Sequence, residues 1–169
     1  MASRVRVLLR SLSVVAWAAL IYWGSTDVLS AQKTSRFLTP FLRWLVPGIS
    51  EDSLVMARAV IRKGGHVTEY AVLAALLAWA ALGTRMDDGG KRLFAGAWLI
   101  ATAYAATDEW HQSFQPTRQG QVMDVVIDSA GAALGAGAFV IALRRWARRR
   151  AEERAVRSAV RSRRSRGVA

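Results

Sequence analysis

Three short stretches of the 169-residue sequence carry side chains that could bind a polar ligand or move a proton. The first contains His66, Glu69 and Tyr70, which follow closely after Lys63. Side chains three and four residues apart share a face of an α-helix, so these groups would lie side by side. A histidine next to a carboxylate can act as an acid and base pair. The stretch therefore predicts a polar surface on one helix.

The other two stretches are acidic and lie later in the chain. They supply Asp108, Glu109, Gln112, Arg118, Asp124 and Asp128. An ionised group in hydrocarbon costs at least ~2.5–3.5 kcal/mol, so Asp128, which lies deepest in an apolar stretch, must face protein and have a partner. We expect the acids to share one pocket with the first stretch. In the opposite interpretation the acids only pair with Lys63 and Arg118 and lock the helices together.

The sequence also excludes several kinds of chemistry. It has no cysteine, so there is no disulfide, no thiolate nucleophile and no Cys-ligated metal. The spacings His66-x-x-Glu69 and Asp108-x-x-His111 match neither a zinc-protease pair nor a paired Glu-x-x-His motif. It contains no Gly-rich phosphate loop and no nucleophile elbow. We predict no metal and no cofactor, and the candidates for catalysis are Glu109, Asp108 and His66.

Four apolar segments must position these side chains. They cover residues 7–23, 67–83, 93–107 and 122–143. A helix that crosses a bilayer needs roughly 20 apolar residues, whereas a soluble bundle shows polar residues at every third or fourth position. The segments predict an all-α, multi-pass membrane bundle with about four transmembrane helices, the alternative being a soluble protein with a buried core. Tyr22-Trp23 at the end of the first segment favours an uncleaved helix over a secretory signal.

Positive charge is distributed unevenly along the chain. The net charge is +12, from 24 Lys and Arg against 12 Asp and Glu. The positive-inside rule places both termini in the cytoplasm, because the amino terminus, the middle loop and the tail carry most of the Lys and Arg. The apolar segments and the charge distribution predict two parts, a transmembrane domain over 1–143 and a basic cytoplasmic tail over 144–169. The tail would bind anionic lipid of the inner leaflet, and we expect no nucleic-acid partner.

The long outer loop between the first two segments has structure of its own. Phe37, Phe41 and Trp44 belong to an apolar surface interrupted by Pro40, which predicts an interfacial or re-entrant segment. Ser50 before two acids predicts the N-cap of a helix leading into the second span.

Two glycine pairs predict features of the backbone. Gly64-Gly65 predicts a bend where the second span enters the membrane. Gly131 and Gly135 lie four residues apart on the face that carries Asp124 and Asp128, which favours close helix packing over ligand approach.

The residue pattern is similar to that of a known family. Lys63, His66 and Tyr70 fit Lys-x-x-His-x-x-x-Tyr, residues 108–118 fit Asp-Glu-x-x-Gln-x-Phe-x-Pro-x-Arg, and Asp124 and Gly131 follow. Over roughly residues 7–143 the chain resembles the VanZ-like family of small bacterial membrane proteins, named after an accessory teicoplanin-resistance protein. It departs from that family's pattern at Asp128, where the family usually has Asn.

The resemblance implies an integral protein of the bacterial plasma membrane with a role in the envelope. Its outward-facing polar site would bind a cell-wall intermediate or a glycopeptide antibiotic. Two alternatives stay open: a membrane-embedded acid and base enzyme acting on a lipid-linked substrate, and a small ion-coupled transporter. The residues expected to bind are Lys63, His66, Tyr70, Asp108, Glu109, Gln112, Arg118, Asp124 and Asp128.

The charge distribution generates a test of topology. A reporter fused after Arg92 or at the carboxyl terminus should read cytoplasmic, and one inserted near Pro47 should read external. Paired alkaline phosphatase and green fluorescent protein fusions measure this directly. An external carboxyl terminus would contradict the four-span arrangement.

Overall fold

The structure, a computed structural model, describes residues 2–26, 31–82, 90–114 and 121–166. These parts form five helices and no strand, which confirms the all-α prediction. The helices are α1 (Ala2–Gly24), α2 (Ala31–Leu45), α3 (Glu51–Ala80), α4 (Lys91–Gln112) and α5 (Val122–Arg166).

The four long helices alternate in direction. At one end of the bundle Ser25, just after α1, hydrogen-bonds to Asp108 near the end of α4. At the opposite end Arg10 of α1 donates to the carbonyl oxygen of Leu82, just beyond α3, at 3.1 Å. As a result the end of α1, the first half of α3, the end of α4 and the start of α5 all lie at the same end, where the polar residues collect.

Small side chains allow these helices to pack closely. The buried core is rich in alanine, contributed by α3, α4 and α5: Ala74, Ala78, Ala97, Ala101, Ala105, Ala132 and Ala136. Gly131 and Gly135 lie directly against the backbone of α3, and a Cβ on them would be 2.5 Å from the carbonyl oxygen of Val67 and 1.9 Å from that of Ala71. The predicted packing role of this glycine pair is confirmed.

Much of the apolar surface faces outwards. Along α1, side chains such as Leu8, Leu12 and Val15 are more than half exposed. Two stretches, Arg4–Gly24 and Val122–Ser158, are long and apolar enough to cross a membrane. Crossing by α3 and α4, and hence the four-span arrangement, stays a prediction.

Helix α2 occupies the predicted interfacial segment. It includes Pro40 and exposes Phe37, Phe41 and Trp44, while Leu42 is buried. Helix α3 then begins as predicted, because the hydroxyl of its N-cap Ser50 accepts a hydrogen bond from the amide of Ser53 at 3.2 Å. The helix continues through Gly64 and Gly65 without interruption.

Two helices extend further than the apolar segments indicated. Helix α4 continues past Thr107, where the third apolar segment ends, to Gln112. Asp108 and Glu109 lie in this added part of the helix, and their side chains form hydrogen bonds within the bundle. Helix α5 likewise continues through the basic tail to Arg166.

The glycine contacts predict opposite effects for two similar substitutions. Gly135→Ala should lower stability by about 1–3 kcal/mol, because its methyl group would overlap the backbone of α3. Gly96→Ala in α4 should be neutral or stabilising, since a Cβ there meets no atom within 4 Å and alanine favours helix. Thermal unfolding of the detergent-solubilised protein, followed by circular dichroism, measures both. Equal effects of the two changes would contradict the close contact of α3 and α5.

Candidate functional site

Asp108 is the centre of a buried hydrogen-bond network that joins three helices. Its Oδ2 accepts from the Ser25 hydroxyl at 2.7 Å, from the Tyr70 hydroxyl at 3.1 Å and from Gln112 Nε2 at 2.9 Å. Asp108, Tyr70 and Gln112 are all almost completely buried. Since a buried carboxylate is stable only when it accepts hydrogen bonds, these donors to Oδ2 allow Asp108 to lie inside the bundle, whereas Oδ1 has no hydrogen-bond partner among the described residues.

A second set of contacts fixes the start of α5. Lys63 of α3 forms an ion pair with Asp124 of α5. Glu109 Oε2 of α4 accepts from the backbone amide of Gln121, one residue before α5, at 3.0 Å. These two contacts hold α5 against both α3 and α4, so Asp124 and Glu109 have structural roles whatever else they do.

His66 and Glu69 lie together on α3, as their spacing predicted. His66 Nδ1 is 3.8 Å from Glu69 Oε2. The carbonyl oxygen of Glu69 also accepts a hydrogen bond from Trp17 Nε1 at 2.9 Å, which ties this part of α3 to α1. The pair is therefore held in place and lies beside open space rather than in the packed core.

Asp128 is buried but its expected partner is missing from the described part of the chain. Only 1% of the residue is exposed, and within the described ranges neither carboxyl oxygen has a hydrogen-bond partner. The acids that influence it electrostatically are Glu109, Asp124, Asp108 and Glu69. The prediction that Asp128 faces protein is correct, whereas the prediction of a partner is not met by any described residue.

A cavity of about 560 Å³ opens beside this network, between the end of α1, helix α2 and the first half of α3. His66 and Glu69 line it, together with Arg58 and Arg62 from the same helix. Ser25 also lines it, so a single side chain separates the cavity from the Asp108 network. The volume lies in the range of small-molecule sites.

A smaller cavity of about 370 Å³ lies on the other side of Asp108, between α1 and α4. Its lining is mostly aromatic and includes Tyr22, Trp110 and Phe114. The rings of Tyr22 and His111 are 4.8 Å apart, and Trp110 meets Phe114 edge to face. Asp108 thus lies between a cavity of mixed polar and apolar lining and an aromatic one.

The structure brings most of the predicted site residues to one end of the bundle, but into two separate settings. His66 faces the larger cavity, whereas Tyr70, Asp108, Glu109, Gln112, Asp124 and Lys63 make contacts between helices. Arg118 lies outside the described residues. Among the described residues, no group of three or more His, Asp or Glu is arranged to hold a metal ion.

Sequence reasoning missed three residues at this end. Ser25 is an ordinary serine after an apolar segment, and nothing local indicates its contact with Asp108. Arg58 and Arg62 carried a usable signal, because Arg58, Arg62 and His66 recur at every fourth residue and so share one helix face.

Comparison with known proteins identifies the family. The sequence model of the VanZ/LLP1 family matches residues 11–143, which is most of the chain. The chain therefore belongs to this family, and the resemblance noted in the sequence is confirmed. No curated protein and no solved structure matches it.

The Lys63–Asp124 pair predicts a non-additive effect on stability. Lys63→Met or Asp124→Asn alone should cost about 1–3 kcal/mol, because each leaves a partly buried group without its partner. The double variant should be more stable than the worse single variant. The exposed pair of Arg43 and Glu51 is the matched control. Their side chains are 55% and 72% accessible, so replacing either residue should change stability by less than about 1 kcal/mol. Chemical unfolding measures the loss of stability in each variant. If the loss in the double variant equals the sum of the two single losses, the pairing of Lys63 with Asp124 is contradicted.

Proposed function

We propose that this member of the VanZ/LLP1 family is a multi-pass protein of the bacterial plasma membrane that binds a cell-wall intermediate or a glycopeptide antibiotic. The binding site would be the larger cavity, facing outwards. The observation that carries the proposal is the mixed lining of this cavity, which places Arg58, Arg62, His66 and Glu69 beside apolar residues such as Leu38. Such a lining suits a ligand that has both a polar and an apolar part.

The outer surface of the bundle supports the membrane assignment. Side chains of α1 that would be buried in a soluble protein, such as Leu8 and Leu12, are more than half exposed. A surface of this kind is stable when hydrocarbon replaces water around it. The exposed Phe37 and Trp44 of α2 suit the interface between the lipid head groups and the acyl chains.

The charge distribution together with the fold supports a cavity that faces outwards. The cavity lies at the end of α1 and the beginning of α3. Topology by the positive-inside rule assigns this end to the outer side, because the basic tail and the start of α4, with Lys91 and Arg92, lie at the opposite end. A site there would meet cell-wall intermediates and antibiotics at the outer leaflet.

One observation favours a second candidate function, acid and base catalysis on a lipid-linked substrate. Glu69 Oε2 lies 3.8 Å from His66 Nδ1, and both residues line the cavity. This separation exceeds hydrogen-bond distance, so the carboxylate would orient the imidazole for proton transfer only after a small movement of either side chain. Profiles of cell-wall precursors separate this candidate from simple binding, because only an enzyme would change the precursor pool.

Cells lacking the protein and cells carrying Glu69→Gln should show altered sensitivity to a glycopeptide such as teicoplanin, with an unchanged pool of cell-wall precursors. The change removes a charge that lines the cavity, without changing side-chain size. Glu51→Gln on the same helix is the matched control, because Glu51 is exposed at the start of α3 and lies outside the cavity. It should behave as the wild type.

Inhibitory concentrations and mass-spectrometric precursor profiles provide the readouts. A precursor that accumulates in both the deletion strain and the Glu69→Gln strain would favour catalysis over binding. If glycopeptide sensitivity and the precursor pool are both unchanged in the two strains, binding and catalysis are both contradicted.

A further inference from the structure

One wall of the larger cavity is a row of basic side chains. Arg58, Arg62 and His66 are four residues apart on α3, and all three line the cavity. At a rise of 1.5 Å per residue, neighbouring members are about 6 Å apart along the helix. Two guanidinium groups and an imidazole therefore face the same space.

The remaining walls provide hydroxyl groups and apolar surface. Hydroxyl groups come from Thr34 and Ser35 of α2 and from Ser25, which lies just after α1. Leu38 of α2 and Val55 of α3 supply apolar surface within the same cavity. The cavity can accept a polar head group and part of an attached hydrocarbon chain at the same time.

The nearby acids offset only part of this positive charge, since Glu109 lies close enough to Arg62 to interact with it electrostatically. Asp108 is separated from the cavity by Ser25 and accepts three hydrogen bonds of its own. Asp124 is paired with Lys63, and Glu109 accepts from the amide of Gln121. Glu69 is the one acid among the cavity-lining residues of the described chain, against two arginines and a histidine. The lining thus favours an anion.

We infer that this cavity binds a phosphate or pyrophosphate group attached to a membrane lipid of the polyprenyl type. Guanidinium groups bind phosphate oxygens through paired, charge-assisted hydrogen bonds, and they tolerate partial burial better than lysine does. The inference rests on the proposed function, because it names the ligand class of the same site. The apolar walls, and the position of the site at the outer leaflet, favour a lipid-attached phosphate over a free one.

The test uses the full-length protein in maltoside micelles, which contain no phosphate, with binding measured by native mass spectrometry and thermal shift. The probes are a polyprenyl phosphate, the corresponding polyprenol and inorganic pyrophosphate. The wild type should bind the polyprenyl phosphate at least tenfold more tightly than either of the other two probes.

Substitutions identify the side chains that bind. Arg58→Gln and Arg62→Gln should each weaken polyprenyl phosphate binding about tenfold or more, as expected for the loss of a hydrogen bond to a charged group. Arg43→Gln removes the same charge from an exposed residue outside the cavity and should change affinity less than twofold. Circular dichroism and melting of each variant confirm that the bundle is folded.

The possible results separate the inference from the proposed function. Equal binding of the polyprenol and its phosphate would overturn the inference, yet the cavity could still serve a lipid-linked ligand. Equal binding of inorganic pyrophosphate would overturn the lipid requirement. Binding of none of the three probes, with glycopeptide sensitivity still altered by Glu69→Gln, would overturn the inference alone.

Discussion

Asp108 lies where an acid would normally be excluded, and the polar end of the bundle is arranged around its carboxylate. Three donors on different parts of the chain, Ser25, Tyr70 and Gln112, converge on one oxygen. An unsatisfied carboxylate at this depth would be far more costly than any single hydrogen bond is worth. The network therefore fixes the positions of α1, α3 and α4 relative to one another along the bundle axis. The larger cavity lies beside the network, where α1 ends.

The packing of α3 on α5 sets the second constraint. Glycine at 131 and 135 lets the two backbones meet, and Lys63, one turn before Val67, then reaches Asp124, two turns before Gly131. Because the contact is between backbones, no side chain can adjust to relieve an added methyl group. The polar residues on the two helices can meet only because the neighbouring positions are this small.

Local patterns in the sequence predicted the features that depend on neighbouring residues. The N-cap at Ser50, the pair of His66 and Glu69 and the glycine contacts all follow from spacing along one helix. Features that depend on distant residues were missed. The extension of α4 to Gln112 depends on Ser25, 87 residues earlier, and no local signal reveals it. Arg58 and Arg62 were missed as cavity residues, although their four-residue spacing with His66 places the three side chains on one helix face.

The unbroken helix α5 changes what the basic tail can do. Its 45 residues rise about 67 Å, roughly twice the ~30 Å hydrocarbon thickness of a bilayer. If α5 crosses the membrane from its start, the segment after Leu143 forms a rigid rod about 35 Å long. Such a rod cannot place all of its arginines at the head groups while it stays straight and upright. It would carry most of their charge into the cytoplasm, at a distance fixed by the helix itself.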